Sequence, residues 1–173
     1  VNNQHEIKFG AQFKNDLMDF EDFTIQRDTS QYLVPTILGE DSPVHDLYSK
    51  EPRQFSAYIQ DKMEFTSMII NAGIRYDLFN SRSEYAPDIY APTKNLKMAE
   101  SKNSFSPRLG ISFPITDQGI IHFSYGHFYQ LPPYSYLFTN PTFEDNVANP
   151  TFGNANLNPE KTIIIEFKQD AEN

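Results

Sequence analysis

The chain of 173 residues contains no cysteine and no tryptophan. Without thiols it has no disulfide, no thiolate metal site and no cysteine nucleophile. No apolar run reaches about 18 residues, so no helix of this sequence crosses a bilayer. Positive charge is scarce: 14 Lys and Arg stand against 23 Asp and Glu, a formal net charge of -9. That balance excludes a general nucleic-acid binder, because neutralising phosphates requires clustered Lys and Arg. The nucleophile elbow GxSxG, a phosphate-cradling glycine loop and HExxH are all missing, so the sequence offers no catalytic constellation. No enzyme activity and no cofactor are expected.

Aromatic residues are plentiful. Fifteen Phe and ten Tyr sit in a chain whose mean hydropathy is only -0.55. Aromatics favour strands, so the low average must come from long polar connections. The chain opens at Val1 instead of methionine, with no basic stretch leading into an apolar one, and the expectation is a piece of a longer protein.

Alternation with period two dominates the pattern. Ile7, Phe9, Ala11 and Phe13 alternate with Glu6, Lys8, Gly10, Gln12 and Lys14. Further runs place Phe55, Ala57 and Ile59 against Gln54, Ser56, Tyr58 and Gln60, and Met68 to Leu78 against Ile69 to Asp77. Leu109, Ile111, Phe113 and Ile115 oppose Arg108, Gly110, Ser112 and Pro114. Ile121, Phe123, Tyr125 and Tyr129 oppose His122, Ser124, Gly126 and Gln130, and Ile163, Ile165 and Phe167 close the series. The runs last about 9–13 residues, against about 5–6 for ordinary strands and about 9–11 for strands crossing a bilayer.

The connections alternate in length. Tight turns are expected around Glu64, Phe65 and Thr66 and through Thr116 to Gly119; long polar loops span 17–51, 80–103 and 131–159. A membrane barrel puts its long loops at one end, whereas structureless loops of that length are rare in compact soluble domains. Tyr76, Phe79, Phe105, Tyr125 and Tyr129 fall toward the long-loop ends, and Phe65 and Phe113 toward the turns, as interfacial girdles require.

His122 and His127 are an odd number of residues apart and would face opposite sides of one strand, so they do not form a metal site. Asp19, Glu21 and Asp22, and again Glu40 and Asp41, lack the spacing of a calcium loop and are read as solvated loop residues. Arg75 and Arg108 lie on the polar faces of neighbouring strands. They either join an ion-pair network with Asp77 and Glu166 or touch a ligand.

Several phrases also resemble TonB-dependent outer-membrane receptors. They are Phe55 to Lys62, Ala72 to Asp77, Ser106 to Ile111, Phe123 to Pro133 and Gly153 to Lys161, in that order. The stretch Pro133 to Pro141 resembles receptors of the Bacteroidetes type. The resemblance implies an all-β fold: an antiparallel meander of about six strands forming a sector of a barrel of about 22 strands. Residues 1–173 would then be part of that barrel, with the plug domain and the remaining strands lying elsewhere. It further implies a Gram-negative outer membrane, uptake of a scarce nutrient (siderophore, glycan or cobalamin) and energy from the TonB complex. Implied partners are lipid, the plug, a small molecule or oligosaccharide, and a surface lipoprotein lid. A passive porin, or a non-membrane β domain binding a ligand or partner on one sheet, is the alternative. Candidate substrate contacts are Tyr134, Tyr136, Phe138 and Phe143 in the third loop, with Arg75 and Arg108 on the strands. Those loop aromatics either stack on a ligand or pack the loop onto its neighbours.

Overall fold

The structure is a computed structural model that describes residues 4–27, 35–37, 45–116, 119–139 and 152–171. Six long strands carry the alternating runs: β1 (His5–Asn15), β2 (Arg53–Phe65), β3 (Met68–Asn80), β4 (Lys102–Thr116), β5 (Gly119–Gln130) and β6 (Glu160–Ala171). They form one antiparallel sheet in chain order, each strand bonded to the next. The expected meander is therefore the observed one, and strands β2 and β6 run longer at both ends than their alternation alone indicates.

Register determines what the two faces carry. Phe9 lies opposite Ile59, Ile59 opposite Ile74, and Ile111 sits between Ile70 and Phe123, which in turn meets Phe167. One face is apolar across all six strands; a slip of one residue in any strand would turn its polar set onto that face. Nothing in the described residues covers it. Phe9 is 79% exposed and Phe167 69%. A contiguous apolar surface of this extent is foreign to soluble monomers and suits contact with lipid.

Strands β2 and β3 pair as far as Phe65 and Met68, leaving a two-residue turn at Thr66 and Ser67. Between β4 and β5 the register shifts between Pro114 and Thr116, and residues 117–118 of that turn lie outside the described residues.

The long connections differ from expectation. They carry secondary structure of their own instead of running as structureless loops. In the first, Met18–Phe23 pairs with His45–Lys50, and a second ribbon joins Ile25–Arg27 to Pro35–Ile37. In the second, Glu84–Tyr85 pairs with Lys97–Met98. The third contains a one-turn helix, α1 (Tyr134–Phe138), stopped where Thr139 turns extended and bonds back to the Ser135 carbonyl. Pairing the loop backbone with itself satisfies polar groups that packing would otherwise strand.

The buried core sits among these connections. Tyr48, Phe79, Leu137, Phe138 and Ala155 form it, with Met18, Tyr85, Ala99, Leu131, Tyr134 and Leu157 packed around. Each long connection contributes, so the three fold into one crown at one end of the sheet. Phe79 belongs to this core and lies on the polar face, 4% exposed. It is not part of the outward aromatic row, a correction that follows from its odd spacing to Tyr76. Tyr76 and Phe105 do pair on the apolar face, ring centroids 5.0 Å apart.

Candidate functional site

The polar face is organised in rows that run across the strands. Nearest the crown, Lys14, Gln54, Phe79 and Lys102 align; below them come Gln12, Ser56, Asp77 and Ser104, then Gly10, Tyr58, Arg75 and Ser106. The next row holds Lys8, Gln60, Gly73, Arg108, Gly126 and Ile164. Two cavities open on this face. One, of about 260 Å³, lies under the crown and is lined by Gln12, Lys14, Gln54, Arg75, Lys102 and Ser104 among others. The other, of about 640 Å³, lies deeper and is lined by Tyr58, Gln60, Arg75, Arg108, Phe128 and Glu166 among others. Arg75 reaches both.

Arg75 grips Asp77 through Nε at 2.9 Å and a terminal nitrogen at 2.7 Å, two residues along the same strand. Arg108 joins no such pair among the described residues. Its guanidinium lies 4.9 Å from the ring centre of Phe128. That ring rests on Gly126, where a β-carbon would come within 2.9 Å of it. Glyine at 126 therefore seats the ring, and the ring seats the arginine. Glu166 accepts a long bond from Ser124 at 3.5 Å. Ser112 and His122 are bonded at 2.8 Å on this same face, while His127 bonds Tyr125 at 2.6 Å on the other, as the spacing of the two histidines requires.

The crown is tied to the sheet by Tyr134. Its hydroxyl donates to Asp16 at 2.7 Å and accepts from Gln54 at 2.9 Å. Burial, and then the Asp16 carboxylate beside it, push the Tyr134 hydroxyl up to about 12. Asp16 is held below the usual carboxylate range, first by that bond and then by Lys14 at 2.9 Å. Behind α1, the Gly153 amide donates to the Thr139 carbonyl at 2.7 Å and Asn154 to that of Tyr136 at 2.8 Å.

The family model for "TonB dependent receptor-like, beta-barrel" matches residues 1–167. The chain belongs to this receptor-barrel family. Searches of curated proteins and of solved structures give no match. In outer-membrane barrels of this kind the polar face lines the lumen, the apolar face meets lipid, and the long connections lie outside the cell. The family consists of outer-membrane receptors and transporters, not enzymes.

The sequence-derived candidates now separate by location. Phe138 is 1% exposed within the crown core, and Tyr134 is engaged by Asp16 and Gln54, stacked on Phe79 and tilted against Phe138. Tyr136 projects from the same short helix and is 65% exposed. Phe143 lies outside the described residues, as do Glu40 and Asp41. Arg75 and Arg108 both face the lumen and border one cavity. Three residues escaped sequence reasoning. Lys102 lines the cavity under the crown, and Ile89 and Tyr90 sit at an exposed loop tip whose turn is fixed by the Tyr90 amide on Asp88. The position of Lys102 at the start of β4, in phase with Arg108, was the available signal. Among the described residues no group of three or more His, Asp or Glu could hold a metal ion.

Proposed function

We propose that this chain forms part of the wall and outer mouth of an active uptake receptor in a Gram-negative outer membrane. It takes up a scarce nutrient, a small molecule or an oligosaccharide, with energy from the TonB complex. The observation that carries this reading is the two-faced sheet whose three long connections all fold together at one end, above the polar face. A soluble binding sheet would cover its apolar face, and here none of the described residues covers it.

In this reading a plug domain contributed by another part of the protein fills the lumen, and lipid surrounds the apolar face. The resemblance of Pro133 to Pro141 supports a receptor of the Bacteroidetes type, with a surface lipoprotein lid above the crown. Tyr136 is the crown aromatic best placed to meet substrate, because Tyr134 and Phe138 hold the helix from behind. An exposed ring on a fixed helix gives contact area at small entropy cost.

Nutrient-limited growth tests the reading. Cells carrying the full-length receptor should grow, and deleting either the receptor or TonB should abolish that growth. A passive pore would keep working without TonB. Tyr136→Ala should reduce uptake at unchanged surface abundance.

A further inference from the structure

We propose that the crown-side half of the lumen wall is an anion-binding subsite, and that the transported molecule carries a carboxylate or a phosphate. This rests on the uptake-receptor reading and narrows it to a substrate class.

The four rows nearest the crown hold Lys8, Lys14, Arg75, Lys102 and Arg108 against two carboxylates, Asp77 and Glu160. This basic half-wall belongs to a chain of net charge -9. The rows beyond it revert to balance, with Glu6, Glu64 and Glu166 against Lys62 and Lys168. Positive charge is thus gathered on the side from which a ligand enters. A low-dielectric wall of one sign concentrates counter-charged solutes at its surface.

Three of the five cations have carboxylates: Lys8 pairs with Glu6 at 2.8 Å, Lys14 with Asp16 at 2.9 Å and Arg75 with Asp77 at 2.7 Å. Lys102 and Arg108 have no carboxylate within pairing distance among the described residues. Lys102 lines the cavity under the crown with Gln12, Gln54 and Ser104. Arg108 borders the deeper cavity, and Arg75 joins the two. Phe128 meets the Arg108 guanidinium with its ring face, and the arginine lines the deeper cavity. A fixed guanidinium fork matches the two oxygens of a carboxylate or phosphate, and a lysine adds a point charge. Phe128 acts here as a positioning residue.

The test uses the full-length receptor in detergent, with citrate and inorganic pyrophosphate as probes in titration calorimetry. The wild type should bind at least one probe; citrate alone assigns a carboxylate, and pyrophosphate alone a phosphate. Lys102→Gln and Arg108→Gln should each weaken binding about tenfold, the worth of one charge-assisted hydrogen bond. Phe128→Leu should weaken it less, and adding it to Arg108→Gln should change nothing further. Lys161→Gln, on the opposite face beside Tyr129, should leave binding unchanged. No binding by the wild type, or equal binding by the Lys102→Gln/Arg108→Gln double variant, overturns the proposal; the first result is also what a plug carboxylate seated on these cations would give. TonB-dependent growth, read on the same receptor, separates this failure from failure of the uptake reading.

Discussion

The Tyr134 hydroxyl bridges two groups that titrate in opposite senses. Asp16 has a folded value below its unfolded value of about 3.9, so its contribution is complete above that pH and is lost as pH falls through the folded value. Tyr134 is raised from about 10 to about 12; its contribution is complete below about pH 10 and disappears as pH rises through about 12. The tie therefore holds across neutral pH and releases at both extremes. Ultraviolet titration should show late-ionising tyrosines, since burial raises Tyr48 as well, and Tyr134→Phe should remove the latest step. The same variant should loosen the crown by about 1 kcal/mol, read as faster proteolysis of the third loop with the barrel intact. Gly153 makes a second prediction. A β-carbon there would lie 2.7 Å from backbone atoms of Leu137, Phe138 and Thr139. Backbone cannot step aside as a side chain can, so Gly153→Ala should destabilise the crown by about 1–3 kcal/mol, seen as lost hydrogen-exchange protection around Phe138.

Each of the six long strands was legible from the sequence because a period of two is a local property, readable in a window of ten residues. The parity of the register then follows, since a slip of one residue would take Ile59, Ile74 or Leu109 off the face that carries Phe9, and the two-residue turn at Thr66 and Ser67 sets the rest for β2 and β3. That face gives the element-scale prediction. Ile111→Arg, between Ile70 and Phe123, should cost about 2–4 kcal/mol, and Ser112→Arg on the lumen side much less; heat-modifiability of the assembled barrel measures both. The crown was not legible. Tyr134 meets Asp16 across 118 residues, and no pattern within the third loop distinguishes a ring that meets ligand from one that meets another loop. Tyr136 and Phe138 are two residues apart on one helical turn and take opposite fates because neighbouring connections close over one side only. The lumen site was half legible. Alternation put Arg75 and Arg108 on the right face, but which of them has a partner depends on rotamers: Arg75 turns along its own strand to Asp77, and Arg108 turns across to Phe128.

In the sheet as a whole, β1 and β6 each present one edge with no partner strand among the described residues, and the apolar face is bare. Residues 1–173 expressed alone should aggregate or depend on detergent, because open edges and uncovered apolar surface both recruit other chains. A cooperatively melting monomer in plain buffer, seen by calorimetry and sedimentation, would be the contrary result. The sheet and the crown also differ in how they are assembled. Strand contacts link neighbours in the chain, whereas Tyr48, Phe79, Leu137 and Ala155 meet only after β1 to β6 are aligned. The crown is consequently a mosaic of three chain segments. An antibody or phage protein raised against it reads a discontinuous epitope, and a peptide copied from any one loop will not compete for it.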